Sequence, residues 1–203
     1  MEKKQRLNRL ILFGGIYFVE GALLTYFSAF SAIYLRTYEL SFSRIGLIGG
    51  ISLVPFVLKI FIGLLSDKVN LAGWGYRKPY ILIGLALQAA AIFLIQFVNP
   101  VSQFALFLTL MILTALGMST YDTCADGLSI DTTPEEDRGL VQGIMVGGRA
   151  LSSIIFAAVF GLLSASGNWP MVFTITAIAA VIVLLIALPV KEGKKRMSEA
   201  AYQ

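Results

Sequence analysis

The chain has 203 residues, 57% of them hydrophobic and 14% charged, with a mean hydropathy of +0.80. That balance excludes a disordered tail and argues strongly against a water-soluble domain, so a membrane protein is the natural class. The net charge of +4 requires no nucleic acid, because the basic residues fall where topology and anionic inner-leaflet lipid place them.

At about 20 apolar residues per span, six stretches fit: Leu10 to Leu35, Ser43 to Leu65, Pro79 to Val98, Ser102 to Gly127, Arg138 to Ser164, and Trp169 to Val190. Residues 1–9 are left as a cytoplasmic amino-terminal segment, residues 10–190 as the bundle, and residues 191–203 as a cytoplasmic tail or the start of a linker. The first stretch is too long for a cleavable signal peptide, and no small-residue cleavage site follows it. Every stretch is too long for a barrel strand and lacks strict alternation, so the spans are predicted to be helices and the fold all-α. Ser41 and Ser43 are N-cap candidates for the second span, and Pro55 is expected to kink it. Asn99-Pro100 breaks the chain before the fourth span. Thr133-Pro134-Glu135-Glu136 reads as a capping box opening the fifth, and Trp169-Pro170 starts the sixth with an indole suited to the outer interface. Ile45 to Gly50 and Gly143 to Gly148 echo one another, as two three-helix units of opposite orientation would.

Lys and Arg in short loops bias a segment to stay in the cytoplasm. The amino terminus carries Lys3, Lys4, Arg6 and Arg9, the second loop Lys68, Arg77 and Lys78, the fourth Arg138, and the tail Lys191, Lys194, Lys195 and Arg196; the other side has only Arg36 and Arg44. Both termini are therefore predicted to be cytoplasmic.

Five ionisable residues fall within the spans: Glu20, Lys59, Asp122, Asp126 and Arg149. A charge facing lipid at a helix centre costs about 2.5–3.5 kcal/mol on the insertion scale, so these are expected to face a shared interior and pair. At about 1.5 Å per residue, Glu20 and Arg149 lie roughly 15 Å in, and Lys59 and Asp122 roughly 8 Å. Side chains lean toward the amino end of their helix, which brings the four heads to one layer, the candidate binding site for substrate or ion. Tyr17 stands beside Glu20 as an aromatic wall, and Gln142, Arg149, Ser152 and Ser153 share one face of the fifth span. Gly139, Gly143 and Gly147 form a separate stripe, expected to be close-packed. Blander readings stand beside these. Lys59 would snorkel to headgroups, Asp126 would be solvated or cap a helix end, and the ion pairs would be purely structural.

No metal site is read. Cys124 is the only cysteine, so no intrachain disulfide forms, and it reads as a small core residue. With no His, a proton-linked step near neutral pH would fall to a carboxylate. Protonating Glu20 or Asp122 would free its cation to hold an anionic substrate, with H+ or Na+ as coupling ion.

Gly63-Leu64-Leu65-Ser66-Asp67-Lys68, followed by Gly75-Tyr76-Arg77-Lys78-Pro79-Tyr80, resembles the signature loop of the major facilitator superfamily. The resemblance covers nearly the whole chain and implies the amino-terminal six-helix half of a transporter, a 3+3 inverted repeat. It implies that Gly63 lets helices approach, and that Asp67 locks one conformation against the opposite half. It also implies that Lys68, Arg77 and Lys78 bind inner-leaflet charge and neighbouring carboxylates, with Arg138 bridging to Asp67. Asn70 stands where a glycine is usual, and the loop is stretched. It looks more like those of cation-linked sugar symporters, folate and biopterin carriers or muropeptide permeases. Tyr121-Asp122-Thr123-Cys124-Ala125-Asp126-Gly127 replaces the usual Arg-bearing motif of the fourth span.

Asn99-Pro100-Val101 is not the Asn-Pro-Ala of a water channel, and no potassium filter, intramembrane-protease motif or Walker glycine pattern is present. The reading is therefore a half-transporter in the cell membrane, not an enzyme. It moves a small polar or anionic solute by alternating access and needs a second six-helix half: another chain, a copy of itself, or a missing remainder. A non-transporting membrane scaffold is the alternative.

Overall fold

The computed structural model describes residues 2–73, 75–190 and 192. The basic tail residues Lys191, Lys194, Lys195 and Arg196 lie outside the described residues, as does most of the 191–203 segment. Among the described residues six helices are long and apolar enough to cross a membrane.

The first span is α1 (Glu2–Thr25), a π-helical turn (Tyr26–Phe30) and α2 (Ser31–Arg36). Residues 2–9, expected to precede the bundle, are thus already helical. A hydropathy window marks the apolar thickness, whereas backbone hydrogen bonding runs on into the polar zone. Asp137 anchors that extension, at 2.7 Å from Arg6 and 3.8 Å from Arg9.

The second span is α3 (Phe42–Ser52), α4 (Val54–Val57) and α5 (Lys59–Lys68). Ser41 is its N-cap, accepting from the Arg44 amide at 3.4 Å. Pro55, which has no N–H to donate, breaks this span at Leu53, and a second break follows at Leu58, so the span is interrupted twice where a single kink was expected.

The third and fourth spans are α6 (Lys78–Ile95) and α7 (Phe104–Thr132), with Asn99 Oδ1 accepting from the Val101 and Ser102 amides in the turn between them. The fifth is α8 (Arg138–Ala165), entered through a 3₁₀ turn at Glu135–Asp137. The expected capping box does not form. Thr133 is extended, with φ −98° and ψ 124°, and closes α7, so its hydroxyl points into the protein without a partner instead of capping the next helix. The sixth span, α9 (Trp169–Ala187), is capped by Asn168. Trp169 is buried against Tyr34 at 5.1 Å, because Tyr34 also packs on Phe107 and Phe173 and draws the indole into that aromatic cluster.

α1 lies along α8 and α9, whereas α7 lies along α6 and the broken second span. This exchange of partners is what two three-helix units of opposite orientation produce. Glycines set the closest approaches. A Cβ on Gly117 would stand 2.6 Å from the Gly84 carbonyl, and one on Gly148 would stand 2.9 Å from the Gly14 carbonyl. The stripe expected to be close-packed behaves otherwise. Gly139, Gly143 and Gly147 meet nothing within 4 Å, because α8 turns Gly148 toward α1 and so directs the stripe outward. Gly46, Gly49 and Gly50 of α3 are equally open. In the most apolar window of each span, 61% of the first span is buried, against 22% of the second and 17% of the fifth.

Candidate functional site

The bundle brings charges from four helices into one layer. Lys59, at the start of α5, forms an ion pair with Asp122 of α7, and Arg149 of α8 lies 3.3 Å from Glu20 of α1. Lys59 with Asp122 and Glu20 with Arg149 are the pairings that the sequence led us to expect. The Arg149 guanidinium also sits over the Tyr17 ring, 5.6 Å from its centroid. Tyr17 in turn donates its hydroxyl to Asp126. Asp126, read as solvated or capping, is therefore tied into the layer. It lies one turn beyond Asp122 on α7, so the i, i+4 spacing was the available signal.

The two signs are not placed alike. The side chains of Glu20 and Asp122 are 5% and 6% exposed, whereas those of Arg149 and Lys59 are 39% and 33% exposed. Carboxylates form the rear of the layer and cations its open front. In a low-dielectric setting this orders the electrostatics: an approaching anion meets positive charge first, and each cation it draws forward leaves a buried carboxylate behind.

Gln142 is not in this layer. It donates to Ser129 Oγ at 3.3 Å and lines a cavity of about 490 Å³ with Asp126, Ser129, Thr133 and Arg138. Asp126 thus joins the layer to that cavity. Ser152 and Ser153, on the same face of the fifth span as Arg149, donate to the Phe18 and Gly21 carbonyls and hold α8 against α1. Two further polar groups escaped the sequence reading: the Tyr121 hydroxyl and the Gln88 amide, both buried without a hydrogen-bond partner.

A second charged cluster occupies the end of the bundle where α5, α6 and α7 meet. Arg77 pairs with Asp67, approaches Asp131 with its Nε at 3.5 Å and donates to Ser66 Oγ at 3.2 Å. Its guanidinium lies flat on Gly127, where any Cβ would collide with it. Arg138 does not bridge to Asp67; Arg77 takes that place, and the 3₁₀ turn carries Arg138 to the Gln142 cavity. Glu192 accepts from the backbone amides of Arg77 and Lys78, satisfying donors at the start of α6, and Lys78 Nζ reaches the Leu188 carbonyl at 2.6 Å. Gly63 lets α5 approach α7, since a Cβ there would touch Thr123 at 3.4 Å, and Lys68 is exposed.

The chain matches the sequence profile of the Major Facilitator Superfamily over residues 12–201. It belongs to that superfamily. Two curated relatives agree with the membership. A folate-biopterin transporter of Synechocystis sp. is 30% identical over 180 residues, covering 87% of this chain and 36% of the relative. AmpG 4 of Rickettsia conorii is 26% identical over 195 residues, covering 94% of this chain and 46% of the relative. This superfamily member therefore spans less than half the length of the curated relatives it matches. It is a multi-pass integral membrane protein with the six-helix architecture of half the family fold.

Proposed function

We propose that this chain is one half of an ion-coupled secondary transporter for a small polar or anionic solute. The observation that carries the reading is the layering of the site, with half-exposed Lys59 and Arg149 in front of buried Glu20 and Asp122. An anionic group on the solute engages the two cations, and a proton or sodium ion compensates the carboxylates they leave. The named relatives support a carrier of this kind, one of them by a name that includes folate and biopterin.

The solute path lies between this bundle and a second six-helix half, which seats on the open faces of the second and fifth spans. Their unpartnered glycines, Gly46, Gly49, Gly50, Gly139, Gly143 and Gly147, allow backbones to approach closely there. The assembly sits in the cell membrane with both termini cytoplasmic. Asp67 and Arg77 gate its inner side, and Lys68, Lys78 and Arg138 supply the surrounding positive charge.

Uptake into proteoliposomes, with and without the second half, tests the reading. Arg149→Gln and Lys59→Gln should abolish uptake of anionic solutes, and Glu20→Gln and Asp122→Asn should remove its pH or sodium dependence. Uptake and coupling unchanged in all four variants would overturn it, and absence of uptake with any half or solute would favour a scaffold.

A further inference from the structure

α1 and α9 meet closely at one level and part beyond it. At Gly15 a Cβ would stand 3.4 Å from Val183, so the two helices are near contact there. Toward the start of α1 and the end of α9 they separate, and among the described residues the gap is not filled. It holds a cavity of about 450 Å³ between α1, the end of α7 and the residues Pro189 and Val190. Next to it runs a groove of about 270 Å³ between Ile11 and Ile186. Asn8, Pro189 and Val190 line both, which makes them the wide and narrow parts of one cleft.

The two parts differ in chemistry. The wide part carries Gln5, Asn8 and Arg9 over a floor of Leu12 and Phe13, whereas the narrow part is walled by Ile11 and Ile186. Ile182, one turn deeper on α9 than Ile186, is 52% exposed and continues the apolar track. Arg9 is only partly engaged. Its Nη1 donates to the Thr132 carbonyl at 2.9 Å and its Nη2 lies 3.8 Å from Asp137, but its Nε is buried without an acceptor. The carboxylates of this end already have partners: Asp137 is 2.7 Å from Arg6, Asp131, which also lines the cavity, is 3.5 Å from Arg77, and Glu192 accepts from the Arg77 and Lys78 amides. Lys3 stands exposed in the first turn of α1, and Lys78 Nζ reaches the Leu188 carbonyl, next in sequence to Pro189. A basic, amide-bearing mouth above an apolar track complements a phospholipid with an anionic headgroup.

We propose that this cleft between the first and sixth spans binds one anionic phospholipid, with its phosphate at Arg9 and the Asn8 and Gln5 amides and one acyl chain between Ile11 and Ile186. A free phosphate would use only the mouth and leave the apolar part without a partner. The chain's own continuation is a poorer occupant. Glu192 draws it toward the start of α6, and Lys191, Lys194, Lys195 and Arg196 repeat the sign of Arg9. A lipid seated there fastens α1 to α9 at the level where they otherwise part. The site is separate from the charged layer of Glu20 and Asp122, and its test requires neither a solute nor transport.

The purified chain in a neutral, lipid-free detergent is unfolded thermally with added phosphatidylglycerol, phosphatidylcholine or glycerol 3-phosphate, the last having the phosphate without chains. Phosphatidylglycerol at roughly ten times its Kd should raise the midpoint by about 3–6 °C, and the other two by less than about 1 °C. Arg9→Gln should remove most of the rise. Because Arg9 also holds the end of α7, a second variant blocks the apolar part instead: Ile11→Trp, at a residue 46% exposed, should remove the rise without lowering the midpoint of the lipid-free chain. Lys68→Gln, which takes an exposed basic residue from elsewhere on the same end, should keep it. No rise with phosphatidylglycerol, or a rise unchanged in both Arg9→Gln and Ile11→Trp, overturns the site. A rise reproduced by phosphatidylcholine or by glycerol 3-phosphate removes the anionic lipid as its occupant. Equal loss in Lys68→Gln also overturns it, because the attraction would then be diffuse and not seated in the cleft.

Discussion

The layer of Glu20, Lys59, Asp122 and Arg149 and the cluster around Arg77 use the same residue types with the opposite layering. In the first the carboxylates are buried and the cations half exposed. Around Arg77 the cation is buried, at 7% side-chain exposure, and its carboxylate partners Asp67 and Asp131 are 35% and 21% exposed. A buried guanidinium held by two carboxylates, a serine and a flat glycine surface has its donors committed, and it fixes α5, α6 and α7 relative to each other. Cations at an open front are only partly committed. The first arrangement suits a strut and the second suits a ligand site, so exposure of the cation, more than the presence of an ion pair, separates the two roles.

The largest expected effect tests the strut. Arg77→Ala removes a buried guanidinium together with its contacts to Asp67, Asp131 and Ser66 and should lower stability by about 2–4 kcal/mol, read as a lower unfolding temperature and poor recovery of folded protein. If the loss is no greater than for Arg149→Ala, the contrast between the clusters fails.

Glycines sharpen the same comparison between committed and open faces. Gly117→Leu forces α6 and α7 apart against the Gly84 carbonyl and should destabilise the chain by about 1–3 kcal/mol or more. Gly143→Leu, with nothing within 4 Å, should leave the unfolding temperature of the isolated chain unchanged while impairing assembly with a second half in co-purification.

In the layer of Glu20 and Asp122, Lys59→Met leaves Asp122 buried without its partner, and because Lys59 is one-third exposed the loss should be about 1–2 kcal/mol. The double variant Lys59→Met/Asp122→Leu should restore stability but not uptake; restoration of both would make the pair structural. Smallest is Ser41→Ala, which removes the cap of α3 and should lower stability by about 0.5–1 kcal/mol without touching either cluster.

Much of this was legible in the sequence because it depends on one helix at a time. Six spans follow from hydropathy, the interruption of the second from Pro55, and the pairing of Glu20 with Arg149 and Lys59 with Asp122 from counting residues along each helix. What could not be read depends on how one helix is rotated against another. The sequence presents Gly139, Gly143 and Gly147 as the packing stripe of the fifth span, but Gly148 makes the contact with Gly14, and the stripe turns outward. Asp126 joins the layer only because the Tyr17 hydroxyl crosses from α1 to α7. Arg77 displaces Arg138 at Asp67 because Gly127 offers it a flat seat that no pattern in the second loop announces.

The π-helical turn at Tyr26–Phe30 governs how the first span faces its neighbours. Such a turn adds about one residue to the helical count, which offsets the phase of everything beyond it by roughly 100°. On an unbroken helix Glu20 and Tyr34 would fall on nearly one side. With the offset, Glu20 meets Arg149 while Tyr34 meets Trp169 and Phe173. Removing one residue from that turn would barely shorten the span. It would instead set the angular register of the charged portion against that of the aromatic portion, so that only one of them could keep its neighbours.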